Sequence, residues 1–200
     1  MIQTPQWEKI EKELKFFGSN EAKIRYLNEL LREFETKLDQ ETKMKIYEKM
    51  VELCIKERWF GPAEKIAEEM GEEGNKYLPK ILEGYLKESV YYVHDAERIA
   101  KKMGKEGEKY LPKIKKGYKK LLAEYIKNKD WKNAKIIAEE KLEPRNKKDL
   151  EILAKIYEHT DPEKALKIWK ILKEKKFSLF SFLRRFWQFL GKGIVKRAEG

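Results

Sequence analysis

The chain has one cysteine, Cys54, among its 200 residues. One cysteine cannot form an internal disulfide, and this usage favours an intracellular, cytoplasmic protein. Cys54 falls at an apolar helical position, which predicts a buried structural thiol rather than a reactive one. The opening sequence MIQTPQWEKIEKE lacks the apolar run of a signal peptide, and no run of about 18 apolar residues predicts a membrane-spanning helix.

Motifs for catalysis and for cofactor binding are also missing. The sequence has no Walker A loop, no GxGxxG, no HExxH and no GxSxG. The only two histidines, His94 and His159, fall near predicted turns of different helix pairs, and neither has a second histidine or a cysteine at metal-ligand spacing. We therefore expect a protein that is not an enzyme, with no catalytic residue, no cofactor and no metal.

Glycine, proline, valine and threonine are scarce, whereas lysine, glutamate, leucine, alanine and isoleucine dominate. These abundant residues are good helix formers, so the composition predicts an all-α protein. Charged residues make up 40% of the chain. A balance rich in lysine and glutamate with so little cysteine is also typical of thermophilic sources.

An internal repeat organises the middle of the chain. Residues 63–88 read AEKIAEEMGEEGNKYLPKILEGYLKE, and residues 96–121, at an offset of 33, read AERIAKKMGKEGEKYLPKIKKGYKKL. More than half of the aligned positions are identical, and most of these are alanine, isoleucine, glycine, tyrosine, leucine or proline. A fixed offset of this size predicts a helical repeat, in which each helix pair stacks on the next.

The positions that differ between the two copies are mostly charged. Glutamates at 68, 69, 72 and 83 of the first copy correspond to Lys101, Lys102, Lys105 and Lys116 of the second. Two interpretations remain open: neutral drift on a solvated face, or a recognition surface on a retained scaffold.

Apolar periodicity and capping residues predict about five antiparallel helix pairs. The expected helices are 7–17, 20–34, 40–57, 63–70, 75–92, 94–103, 108–128, 131–141, 146–159 and 162–173. Pro62 and Pro162 suit first helical positions, and Gly71 suits a left-handed C-cap. A small residue recurs after each short turn and predicts close helix contacts, at Ala22, Ala63, Ala96, Ala134 and Ala165.

These units resemble tetratricopeptide repeats over roughly residues 40–174. The best match is LLAEYIKNKDWKNAKIIAEEKLEP, where the family pattern falls on Leu121, Tyr125, Asp130, Trp131, Ala134 and Ala138. Looser matches fall on Ile152, Ile156, Asp161, Ala165 and Trp169, and on Met50, Phe60, Ala63 and Ala67. The family's glycine in the first helix is absent, and the repeat lengths vary. The resemblance implies a right-handed αα-superhelix that presents a groove to a peptide or protein.

The net charge of +11 is unevenly distributed. Residues 1–100 carry 17 cations and 21 anions, whereas residues 101–148 carry 17 cations and 7 anions. Within the basic zone, the spacing of four lysines predicts a line along one helix, opposite or beside an apolar stripe: Lys109, Lys113, Lys116 and Lys120. This line is the candidate partner-binding site, for an acidic protein or peptide. The alternative is a solvated face with little energetic role.

The C-terminal sequence KKFSLFSFLRRFWQFLGKGIVKR (175–197) differs from the rest of the chain. Its aromatic and apolar residues form a wide stripe beside a narrow polar strip, which predicts an amphipathic helix over about 177–190. The candidate interface residues are Phe180, Leu183, Arg184, Arg185, Trp187 and Leu190. Three roles remain open: a cap over the end of the stack, an anionic membrane surface, or an interface with another copy or partner.

The sequence therefore predicts a helical-repeat domain over 1–174 and a basic amphipathic helix over 175–200. The leading functional hypothesis is a scaffold for protein–protein interaction. The alternatives are nucleic-acid binding through phosphates and a peripheral membrane adaptor. Base readout is disfavoured because the zone 101–148 holds one arginine, Arg145, and arginine dominates such contacts.

Overall fold

A computed structural model describes residues 5–143 and 146–173, and within these ranges every regular element is helical. The α-helices are α1 (Trp7–Leu14), α2 (Asn20–Glu33), α3 (Gln40–Lys56), α4 (Phe60–Glu69), α5 (Leu78–Glu88), α6 (Val93–Lys102), α7 (Lys105–Glu108), α8 (Leu111–Lys127), α9 (Trp131–Lys141), α10 (Lys147–Thr160) and α11 (Pro162–Lys173). Short 3₁₀ helices cover Gly71–Tyr77 and Val90–Tyr92. The all-α prediction is confirmed for these residues.

The chain forms two compact units, residues 1–117 and 118–200, and the division falls within α8. In the first unit, successive helices from α2 to α6 pack against one another, and α1 contacts α3. In the second unit, α10 packs against both α9 and α11. The predicted domain boundary at 174/175 lies outside the described residues.

Local capping explains where several helices begin. Asp39, Asp130 and Asn146 each accept a hydrogen bond from the backbone N–H three residues later, at the starts of α3, α9 and α10. Asp161 does the same for α11, which begins with Pro162 as predicted. The predicted starts of α3, α9 and α11 are correct because a cap depends only on neighbouring residues, and α10 begins one residue after its predicted start.

Other predicted bounds are wrong. The predicted helix 75–92 is a 3₁₀ helix followed by α5, and α5 ends before Ser89. The helix predicted from 108 begins at Leu111, and the first helix ends at Leu14 rather than at 17. Pro62 is the third residue of α4, not its first, although it still occupies the first turn.

The two copies of the repeat fold alike. Gly71 and Gly104 both have positive φ, +63° and +57°, just after α4 and α6, in a region of backbone conformation that favours glycine. Gly74 and Gly107 lie so close to a backbone carbonyl that an added Cβ would be 1.9 Å from the oxygen of Ala67 or Ala100. The sequence repeat is therefore also a repeat of backbone geometry.

The recurrent alanines occupy buried positions in four of the five predicted places. Ala63, Ala96, Ala134 and Ala165 are buried, which agrees with close helix contact at each. Ala22 in α2 is only half-buried, so its burial does not indicate an equally close helix contact. Cys54 is fully buried in α3, and burial raises the pKa of its thiol to about 11. It is the structural thiol that the sequence predicts.

Candidate interaction surface

The predicted lysine line lies on the surface, although not on one helix. Lys113, Lys116 and Lys120 belong to α8 and are exposed, and spacings of three and four place them on one side of that helix. Lys109 is also exposed, but it precedes α8 and follows the short α7. The prediction that one helix carries all four lysines is therefore wrong for Lys109.

The first two lysines of the line lie beside the buried Tyr110. The Nζ atoms of Lys109 and Lys113 are 5.2 and 5.7 Å from the centre of its ring, within reach of a cation–π interaction. Lys113 also lies 3.9 Å from a carboxylate oxygen of Glu83, in a solvent-exposed pair. An exposed pair of this kind contributes at most about 1 kcal/mol.

Some of the charged residues that differ between the two copies contact each other across the copies. Neither drift on a solvated face nor a recognition surface predicts such contacts. Lys102, in the second copy, contacts Glu68 and lies 3.4 Å from Glu64, both in the first copy. Lys113 and Glu83 form a third contact between the copies. Acidic residues of the first copy thus face basic residues of the second, and Lys102 stands where the first copy has Glu69.

Glu64 is the centre of this arrangement and was not recognised in the sequence. Its side chain is 5% exposed, and Arg98 of α6 contacts both of its carboxylate oxygens, one of them at 2.8 Å. The hydroxyl of Tyr85 donates to it at 3.4 Å. Burial alone would raise the pKa of Glu64, but hydrogen bonds and charges from Arg98 and Lys102 outweigh it, so the pKa is lowered.

The repeat gives only a partial signal for Glu64. Its counterpart in the second copy is Glu97, so the acid is retained while four other glutamates change to lysine. Retention alone does not single out Glu64, because Glu73 is retained as Glu106 and both of these are exposed. Glu97 is also largely covered, with a side chain 20% exposed, and lies 3.3 Å from Lys101.

A second buried carboxylate lies in the unit 118–200. Asp149 in α10 is fully buried and accepts hydrogen bonds from Lys119 at 3.0 Å and from the side chain of Asn146 at 2.6 Å. Lys119 lies on α8 next to Lys120, so adjacent lysines differ in role. Both side chains are exposed, and Lys119 pairs with the buried acid.

The two histidines lie at helix ends. His94 is exposed in the first turn of α6. His159, in the last turn of α10, stacks on Trp131 with ring centres 3.8 Å apart. Among residues 5–143 and 146–173, no cluster of histidine, cysteine and acidic side chains could hold a metal ion.

The C-terminal candidate residues, Phe180, Leu183, Arg184, Arg185, Trp187 and Leu190, lie outside the described residues. Within the described part of the chain, no helix is both long and apolar enough to cross a membrane. Comparisons with protein-family models, with curated proteins and with solved structures found no match.

Proposed function

We propose that this protein is a non-enzymatic helical-repeat scaffold that binds an acidic protein or peptide partner. Its helix pairs would stack antiparallel in a right-handed αα-superhelix, the arrangement that the tetratricopeptide-like pattern implies. The positions of that pattern support the proposal, since Leu121, Ala134, Ala138 and Ile156 are all buried. Surfaces of such stacks commonly serve as binding faces.

The observation that carries the proposal is the regular spacing of four exposed lysines, Lys109, Lys113, Lys116 and Lys120. Lys102 and Lys119 are exposed as well, but they contact the buried carboxylates of Glu64 and Asp149. Lys113, Lys116 and Lys120 lie on one side of α8 and Lys109 lies just before it, so these cations would attract a run of carboxylates. Electrostatic complementarity of this kind raises association rates and selects partners.

A matched pair of charge variants tests the proposal. The first replaces Lys109, Lys113, Lys116 and Lys120 with serine. The control replaces four lysines that are exposed elsewhere, Lys9, Lys12, Lys15 and Lys37, with serine. Both variants lose the same net charge, so a difference between them reports the position of the cations and not their number.

The probe is a fluorescent glutamate-rich helical peptide, measured by anisotropy at about 0.15 M salt, near the physiological ionic strength. We expect at least tenfold weaker binding in the line variant and little change in the control. Equal loss in both variants, or no binding by the wild type, would contradict the proposal. Tighter binding to arbitrary DNA duplexes or single strands, with a steep salt dependence, would favour the nucleic-acid alternative.

A further inference from the structure

The last described helix carries an apolar surface that none of the described helices covers. Leu166 in α11 is 72% exposed, unlike the neighbouring Ala165 and Ile168, which are buried against the unit. Trp169 lies one turn further along the same side and is half-buried. Together with Lys170 and Lys173, these two side chains line an open cleft of about 680 Å³.

We propose that residues 177–190 of the same chain dock on this side of α11, as the second arm of a helical hairpin. This inference goes beyond the proposed partner-binding function and is independent of it, because it concerns a different surface. It selects one of the three roles that the sequence leaves open for this segment.

The connection fits such a hairpin. Only residues 174–176 separate the end of α11 from Phe177. Three extended residues span about 10 Å, and the axes of packed helices lie about 8–10 Å apart. Connections of two to five residues are those that join antiparallel helices in αα-hairpins.

The lengths and patterns also agree. α11 has 12 residues, so it is about 18 Å long, and 14 helical residues would span about 21 Å. In an antiparallel register set by this short connection, Phe180 would lie opposite Trp169 and Leu183 would lie opposite Leu166. The two apolar side chains of the cleft would thus meet the apolar stripe of 177–190.

The short connection favours this occupant over others. A segment tethered by three residues has an effective concentration in the millimolar range or above at the neighbouring surface, which a separate protein or vesicle rarely matches. The cations Lys170 and Lys173 lie at the rim of the cleft, where their aliphatic stems can cover apolar surface while their charges stay in water.

Disulfide trapping in the full-length chain tests the register. The variant Leu166→Cys/Leu183→Cys is compared with Leu166→Cys/Arg185→Cys, whose second cysteine would lie on the opposite side of a helix. We expect the first pair to form an intramolecular disulfide at least tenfold faster at low micromolar concentration. Equal rates, or only intermolecular disulfides, would overturn the proposal. Cys54 is present in both variants and is buried.

Melting temperatures provide a second measurement that needs no new bond. Because Leu166 is exposed on α11 itself, Leu166→Asp costs more stability than the lower helix propensity of aspartate explains only if another segment covers it. We expect Leu166→Asp and Phe180→Asp each to lower the melting temperature by about 2–4 °C or more, and the double variant to be little worse than either. Unchanged melting of Leu166→Asp, together with co-sedimentation of the wild type with phosphatidylglycerol vesicles, would instead assign the segment to the membrane.

Discussion

Arg98 and Glu64 form a bidentate ion pair between the two copies of the repeat, with the carboxylate buried and the guanidinium about half exposed. The pair joins α6 to α4, and Nη2 of Arg98 also donates to Asp95 at 3.0 Å. The asymmetry of burial has a direct consequence. Removal of Arg98 leaves a buried charge, whereas removal of Glu64 leaves cations that water can reach.

The first prediction concerns this pair. Arg98→Met should destabilise the protein by about 2–4 kcal/mol, because Glu64 would keep only Lys102 and Tyr85 as partners. Glu64→Gln should cost less, about 1–2 kcal/mol, since the remaining cations can be hydrated. Urea unfolding at pH 7 measures the loss of unfolding free energy in both variants. A loss in Glu64→Gln that equals or exceeds the loss in Arg98→Met would show that the unpaired buried carboxylate is not the main cost.

The second prediction concerns pH. The folded-state pKa of Glu64 is lowered from its ordinary value of 4.5, so its ion pairs contribute stability above that pH. This contribution is lost as the pH falls through the lower folded-state value. The difference in unfolding free energy between wild type and Glu64→Gln should therefore be constant near neutrality and shrink below about pH 4.5. A difference that does not change between pH 7 and pH 3 would contradict the lowered pKa.

The third prediction tests charge complementarity between the copies. Lys102→Glu should destabilise by about 1–3 kcal/mol, because it places a third carboxylate beside Glu64 and Glu68. Adding Glu68→Lys should restore part of the loss. The neighbouring change Lys101→Glu is the control: Lys101 is 72% exposed and pairs with Glu97 one turn away, so about 0.5 kcal/mol is expected. Equal losses of stability in Lys101→Glu and Lys102→Glu would show that the contacts of Lys102 with the first copy do not stabilise the fold.

The fourth prediction compares two helical glycines of the same unit. Replacing an exposed helical glycine with alanine normally stabilises by about 0.5–1 kcal/mol. Gly61→Ala should do so, because its new Cβ would meet only the Tyr85 hydroxyl at 3.6 Å. Gly84→Ala should instead destabilise by about 1–3 kcal/mol, since its Cβ would lie 2.1 Å from the ring of Phe60. Thermal unfolding of the two variants should shift in opposite directions, and a gain at both sites would show that the Phe60 ring moves freely.

The fifth prediction concerns the recurrent alanines. Ala96→Leu and Ala134→Leu should each destabilise by about 1–3 kcal/mol, because both positions are fully buried. Ala22→Leu serves as the comparison, since Ala22 is half-buried and has space on one side. Similar melting temperatures for all three variants would mean that these alanines do not mark tight helix contacts.

Much of the local structure could be predicted from the sequence. Helices α3, α9 and α11 begin at the predicted residues, just after the caps Asp39, Asp130 and Asp161, because capping depends on residues three apart in the chain. The left-handed conformation of Gly71 was predicted for the same reason. Helix α10 begins at Lys147, one residue after its predicted start, because Asn146 is its cap. The burial of Cys54 followed from apolar periodicity, which depends on the helical repeat of 3.6 residues.

The candidate surface could be predicted only in part. The exposure of Lys113, Lys116 and Lys120 followed from their position beside an apolar stripe. The separate roles of Lys102 and Lys119 did not, because a lysine that neutralises a buried carboxylate and one that is hydrated have the same local sequence. Their partners, Glu64 and Asp149, are 38 and 30 residues away in the chain.

By itself, then, the sequence determined the helical class, the repeat and the caps, since each of these arises from interactions within one or two helical turns. Only the tertiary structure decided that Lys102 of the second copy contacts Glu68 of the first, that Glu64 is buried, and that Gly84 makes room for Phe60. Those features depend on which helix faces are brought together, and burial then sets the energy of every charge at the contact.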